Sequence, residues 1–348
     1  MECLLRYVFI FEVGDEIEIN KIEKILNKAA QILEIKFEKF IPTHFKVGTN
    51  FLKTFIGKIK HGEFELDVSA KIFDMGNIII SIDLKRDIKN LDEITEIIKK
   101  VDFEKIARDI NNRIRRSIID SIINPKKDSE YEEYFMVFLK YEKDVEEFIK
   151  ANKNKIASIL ELDEDISEKT VQDILKNSIS YYKNEHIIVS WSGAFLINVD
   201  NIEEISYIFE IANLQQLVLR CYDYELDKVF KEVVKKIKVK WYNALFGNIY
   251  EKVRKIIEER IEIQETVEST MNLGKFFGDW YYAKVYELIY KELHIEEWRN
   301  NLFRKIDYIE EFYKSMDSRI NSTRTLFIEL GILIIFILDI FFYFFIVK

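Results

Sequence analysis

Two kinds of hydrophobic spacing alternate along the first 200 residues. "RYVFIFEV" at 6–13 and "EYFMVFLK" at 133–140 are aromatic and β-branched runs of strand type. Each is followed by apolar positions at helical spacing among charges, KIEKILNKAAQIL at 21–33 and KDVEEFIKANKNKIASIL at 143–160. Strand pairs come next, ending in "DMGNIIISID" at 74–83 and "WSGAFLINVD" at 191–200, and the spacing places Gly76 beside Gly193 and Asp83 beside Asp200. Helix starts follow at 90–98 and 201–209, with Asn at the cap and acids in the first turn. The pattern predicts one strand-helix-strands-helix module used twice, over 1–125 and 126–200, the second completed by the helix from 201. Gly76 and Gly193 are expected in tight turns that need positive φ.

From 201 to 325 there is no Pro and only three Gly, so this region reads as a helical stalk. Leu288, Ile295, Leu302, Ile309 and Met316 fall seven apart, and Ile306, Tyr313 and Ile320 supply the alternate seam position of a heptad over 288–320. The seam serves either a coiled coil between chains or packing in cis against the helices that follow 203. Residues 326–347 hold 18 aliphatic or Phe side chains and, at 1.5 Å each, extend roughly 33 Å, the length of a transmembrane helix. Glu329 lies one turn in, where it reaches headgroups. Asp339 is deeper; it either faces a neighbouring copy in a bundle of spans or is tolerated alone.

The predicted class is therefore α+β: two similar modules, a helical and coiled-coil region, and one C-terminal transmembrane helix. Arg319 and Arg324 ahead of the span keep the body in the cytoplasm of a single-pass, tail-anchored protein in a prokaryotic cell membrane, or in the mitochondrial inner membrane if the source is eukaryotic.

Composition narrows the chemistry. In 348 residues, 48% hydrophobic and 32% charged, with 10 Gly and 2 Pro, disorder is excluded and long helices are favoured. The Lys, Glu and Ile bias suits a prokaryote. A net charge of −9 argues against general phosphate-backbone binding. One segment runs the other way: Lys228, Lys231, Lys235, Lys236, Lys238, Lys240, Lys252, Arg254 and Lys255 face only Glu232 and Glu251. It offers a surface for RNA or anionic headgroups, or is a solvated helix face. Cys3 and Cys221 have no paired spacing, the four His are scattered, and P-loop, dinucleotide and nucleophile-elbow motifs are missing. No catalytic, cofactor, metal or small-molecule site is inferred.

The stretch "NLGKFFGDWYYAKVYELIYKELHIEEWRNNLFRKIDYIEEFY" at 272–313, with "FIELGILIIFILDI" at 327–340 and "FDMGNIII" at 73–80, resembles the family known as "required for meiotic nuclear division". Glu329 and Asp339 fall where that family's terminal motif has two acids. The Ala-Gln-Ser of its middle motif is absent from "LQQLVLRCYDYE" at 214–225. The resemblance implies a membrane-anchored protein without assigned biochemistry and, in a mitochondrial branch, a tether supporting translation near ribosomes. Together these readings lead to a membrane-anchored, self-associating scaffold in a lipid bilayer. The alternatives are a ribosome or RNA tether and a ligand-binding enzyme in the modules.

Overall fold

The computed structural model describes residues 1–22, 37–38, 51–237 and 280–346. Its strands are β1 Glu2–Glu12, β2 Glu16–Ile17, β3 Phe37–Glu38, β4 Phe51–His61, β5 Phe64–Phe73, β6 Asn77–Asp87, β7 Ile122–Ile123, β8 Tyr131–Leu139, β9 Ser178–Ile179, β10 His186–Val189 and β11 Gly193–Ile197. Its helices are α1 Asp92–Lys100, α2 Phe103–Ile118, α3 Val145–Glu161, α4 Glu168–Lys176, α5 Ile202–Ile237, α6 Trp280–Glu292 and α7 Ile295–Ile346. Side chains cap three of the starts. Asp102, Asp144 and Ser167 accept from the backbone N–H of Lys105, Glu147 and Thr170.

The chain divides into two compact units, residues 1–221 with 265–298, and 222–264 with 299–348. In the first, nine described strands form one sheet in the order β3-β4-β5-β6-β1-β8-β11-β10-β9. Every neighbouring pair is antiparallel except β8 with β11. β1 lies near the middle, which is why its run is apolar on both faces. Its odd side chains join the layer of α1 to α4, where the Tyr7 ring stacks on Phe103 at 4.3 Å. Its even side chains meet α5.

That second face is closed by ions as well as by carbon. Arg6 reaches Asp83 through two bonds of 2.7 Å, Glu203 at 2.6 Å and the Ser206 hydroxyl at 2.9 Å. Lys53 donates to the other Glu203 oxygen at 2.8 Å. Burial disfavours the Glu203 charge, but Arg6 and Lys53 outweigh it and hold the carboxyl down at about 2. Deeper in, Lys71 pairs with Glu210, which also accepts from Ser81 at 3.3 Å, and the ammonium sits 5.3 Å from the Tyr207 ring centre. The six ionic groups, three of each sign, lie on β1, β4, β5, β6 and α5. Together they key one helix to one register of the sheet.

Helix α6 completes the unit. Asn201 donates to the Tyr282 hydroxyl at 3.0 Å, Tyr282 to Glu204, Tyr286 to Gln215 at 2.6 Å and Tyr281 to Glu185. Burial, aided by Asp200, pushes the Glu185 carboxyl from 4.5 up to about 7. The folded state therefore keeps this proton over a range in which the unfolded chain has lost it. Stability contributed here is full below pH 4.5 and declines as pH rises towards 7. We expect Glu185→Gln to remove that slope, on the order of 1–2 kcal/mol after solvent screening, in urea midpoints measured from pH 4.5 to 8. The opposite effect of Glu203 lies below pH 4.5, so the two separate.

Two expectations need correction. The fold is mixed α/β, with one nine-stranded sheet running through both predicted modules beside a separate two-stranded pair of β2 and β7, not the predicted α+β pair of repeated modules. The glycine-led strand β6 lies antiparallel to β1, whereas its supposed counterpart β11 lies parallel to β8. Period-two spacing is blind to strand sense, so a parallel and an antiparallel arrangement share one pattern.

The transmembrane helix is also overturned. Among the described residues no helix is long and apolar enough to cross a membrane. The apolar run near the end of α7 is interrupted by Glu329 and Asp339. The tail anchor, the single-pass place in a cell or mitochondrial inner membrane and the cytoplasmic body inferred from it fall with that helix.

Candidate interaction surface

In the second unit the predicted heptad positions from Leu302 onward lie on α7, and the end of α5 belongs to the same unit. Leu302, Ile306 and Ile309 are 0%, 5% and 4% exposed within one chain, as is Leu226 at 3%. This part of the seam is therefore filled by packing in cis. A polar lock accompanies it: Lys305 donates to Asp223 at 2.6 Å and to Asp227 at 2.7 Å. Burial works against the Lys305 charge, yet the two hydrogen bonds prevail and hold its pKa above the usual lysine value. Asp223 and Asp227 stand one helical turn apart, which the sequence makes readable, while their partner lies 78 residues beyond Asp227. The side chains of Tyr313, Met316 and Ile320 lie outside the described residues.

Further along α7 the surface changes character. Ile328, Leu330, Ile332, Leu333, Ile334, Ile335, Phe336, Ile337, Leu338, Ile340, Phe341, Phe342 and Tyr343 are between 48% and 67% exposed. Successive residues on a helix point 100° apart, so the run is apolar around its whole circumference. Glu329 and Asp339 are exposed within it.

Lys228 and Lys231 are exposed, and Lys228 sits 3.9 Å from the Tyr224 ring centre. The side chains of Lys235 and Lys236, and all of Lys238, Lys240, Lys252, Arg254 and Lys255, lie outside the described residues. Gly76 has φ +82° and occupies the expected turn. Gly193 opens β11 without a positive φ and is needed for closeness instead, since a Cβ there meets the Phe135 ring at 2.7 Å.

Residues 4–203 match the family described as "Uncharacterized protein MJ0711, N-terminal domain", more than half of the chain. The chain belongs to that family. The MJ0711 domain covers all of the sheet but the first two residues of β1 and ends at Glu203, the first-turn acid of α5 that holds Arg6 and Lys53. Over a longer stretch of 307 residues the chain is 24% identical to "Uncharacterized protein MJ0711" of Methanocaldococcus jannaschii, covering 87% of this chain and 86% of that one. The similarity thus reaches past the MJ0711 domain into the helical part. No solved structure matches.

Proposed function

We propose that the protein is a self-associating scaffold, in which copies join through residues 328–343 of α7 and display the sheet-based MJ0711 domain. The observation that supports this is the run of about a dozen large apolar side chains, each roughly half exposed or more, on every side of one helix. A helix apolar all round is not stable facing water and belongs inside a bundle. Covering the exposed half of a dozen such side chains is worth on the order of 10 kcal/mol, comparable with the roughly 4–15 kcal/mol lost on association. A pair covers one stripe of each helix, and further copies cover the rest. In such a bundle Asp339 turns inward and hydrogen-bonds to its copies, because a carboxyl among packed apolar helices needs a polar partner.

The test compares the sedimentation of the full chain with that of a chain ending at 324. The full chain should form a defined multimer and the shortened one a monomer. Single cysteines placed along 335–343 should then crosslink with helical period centred on Asp339. The background is low: both native cysteines are buried, and burial pushes the Cys3 thiol up to about 12 and Cys221 above its usual value as well. Two monomers, or crosslinking that is uniform along the run, would sink the reading.

A further inference from the structure

Asp339 stands on the most open stripe of the apolar run on α7. Its neighbours on that side of the helix, Ile328, Ile332, Ile335, Phe336, Phe342 and Tyr343, are 56–67% exposed, against 48–60% for the apolar residues from Leu330 to Phe341 on the other side. Self-association through this helix gains most by covering the wider-open stripe, and a bundle so arranged turns Asp339 inward.

The run brings no positive charge with it. From 325 to 347 the chain has no Lys, Arg or His; Arg324 lies 15 residues before Asp339, roughly 22 Å along the helix, and Lys348 follows it by nine residues. Asp339 is exposed within one chain, so among the described residues no charged group of another element faces it. Tyr343, one turn on, has a phenol that donates a hydrogen bond but cannot cancel a charge. Glu329, the other acid, stands about 80° around the helix and next to Ile328, at the entry of the run, where water reaches it. Copies that run parallel about one axis bring every Asp339 to the same level. Ionised carboxylates are acceptors only, and like charges a few Å apart among apolar side chains repel, so one of each facing pair must take up a proton. A carboxylic acid is donor and acceptor at once and bonds to the carboxylate beside it.

We infer that assembly of the protein is coupled to proton uptake at Asp339, so that acid strengthens association and alkali weakens it. This rests on the self-association proposed above and supplies its control. An aspartate facing water is ionised at neutral pH, so the bundle holds protons that the separate chains do not. The association constant therefore falls as pH rises, by up to tenfold per pH unit for each proton shared.

Sedimentation of the fluorophore-labelled full chain over a dilution series at pH 6, 7 and 8 tests the inference, above the pI of about 5.3 where chains precipitate non-specifically. EDTA in every sample excludes a divalent cation as the neutralising partner. The dissociation constant of the parent should rise at least tenfold from pH 6 to pH 8. Asp339→Asn, whose amide is donor and acceptor without charge, should assemble more tightly than the parent at pH 8 and show no slope. Glu329→Gln and Glu185→Gln should both keep the parent's slope, the second because Glu185 titrates in the same window but in the other unit. A multimer whose constant does not change with pH, a slope that survives Asp339→Asn, or one that disappears with Glu329→Gln overturns the proton coupling and leaves the scaffold standing. A chain that is monomeric at every pH overturns both.

Discussion

Replacing Glu210 with Leu is expected to lower stability by about 3–5 kcal/mol, and adding Lys71→Met should return most of it. The two side chains are 0% and 3% exposed, and Lys71 has lost its water. With Glu210 present, the ammonium has an ion-pair partner, though burial still draws its pKa below the usual lysine value. Without that partner the folded state must hold an uncompensated charge or release the proton. The proton is released, and the unfolded chain binds one more than the native chain across neutral pH. Stability of Glu210→Leu should therefore rise with pH, and the loss seen in urea unfolding should be smaller at pH 9 than at pH 7. Lys71→Met alone leaves a buried carboxylate and should show the reverse, losing least in acid. In the double variant both ions are gone and α5 packs by shape. A double variant as unstable as the worse single one would mean that the pair is not the coupled unit described here.

Much of the fold is legible in local pattern. The runs at 6–13 and 133–140 become β1 and β8, and the glycine-led stretches become β6 and β11, because alternation and β-branching act over a few residues. What stays hidden is set at long range. Arg6 in the first strand reads as an isolated charge, and only the fold brings Asp83 and Glu203 to it, 77 and 197 residues away. The pairing of Asp83 with Asp200 and of Asn90 with Asn201 as repeat equivalents rests on the same limitation. Asn90 accepts from the first-turn N–H groups of α1, while Asn201 spends its amide on Tyr282. The ion pair of Arg220 with Glu132 was less readable still. Arg220 lies in "LQQLVLRCYDYE", where nothing local marks a partner, and Glu132 looks like a surface acid ahead of a strand.

Gly76→Ala should be the most damaging single-methyl change in the sheet, at about 4 kcal/mol. Two costs add there. The backbone sits at φ +82°, where an L side chain is strained by about 1–3 kcal/mol, and the new Cβ would lie 2.0 Å from the Gly14 carbonyl oxygen. That oxygen belongs to backbone already held, since the flanking Val13 and Asp15 donate to the Gly76 and Ile123 carbonyls at 2.9 and 3.0 Å, so it cannot swing away cheaply. The clash adds a further 1–3 kcal/mol of overpacking. Asn tolerates the left-handed region, so Gly76→Asn should recover the conformational part and keep the steric part. Gly193→Ala carries the steric part alone, against the Phe135 ring and carbonyl at 2.7 and 2.8 Å, and should fall near Gly76→Asn. Denaturant midpoints of the three variants decide it. If Gly76→Asn is as unstable as Gly76→Ala, the crowding at Gly14 alone sets the cost, and positive φ is not what requires glycine in this turn.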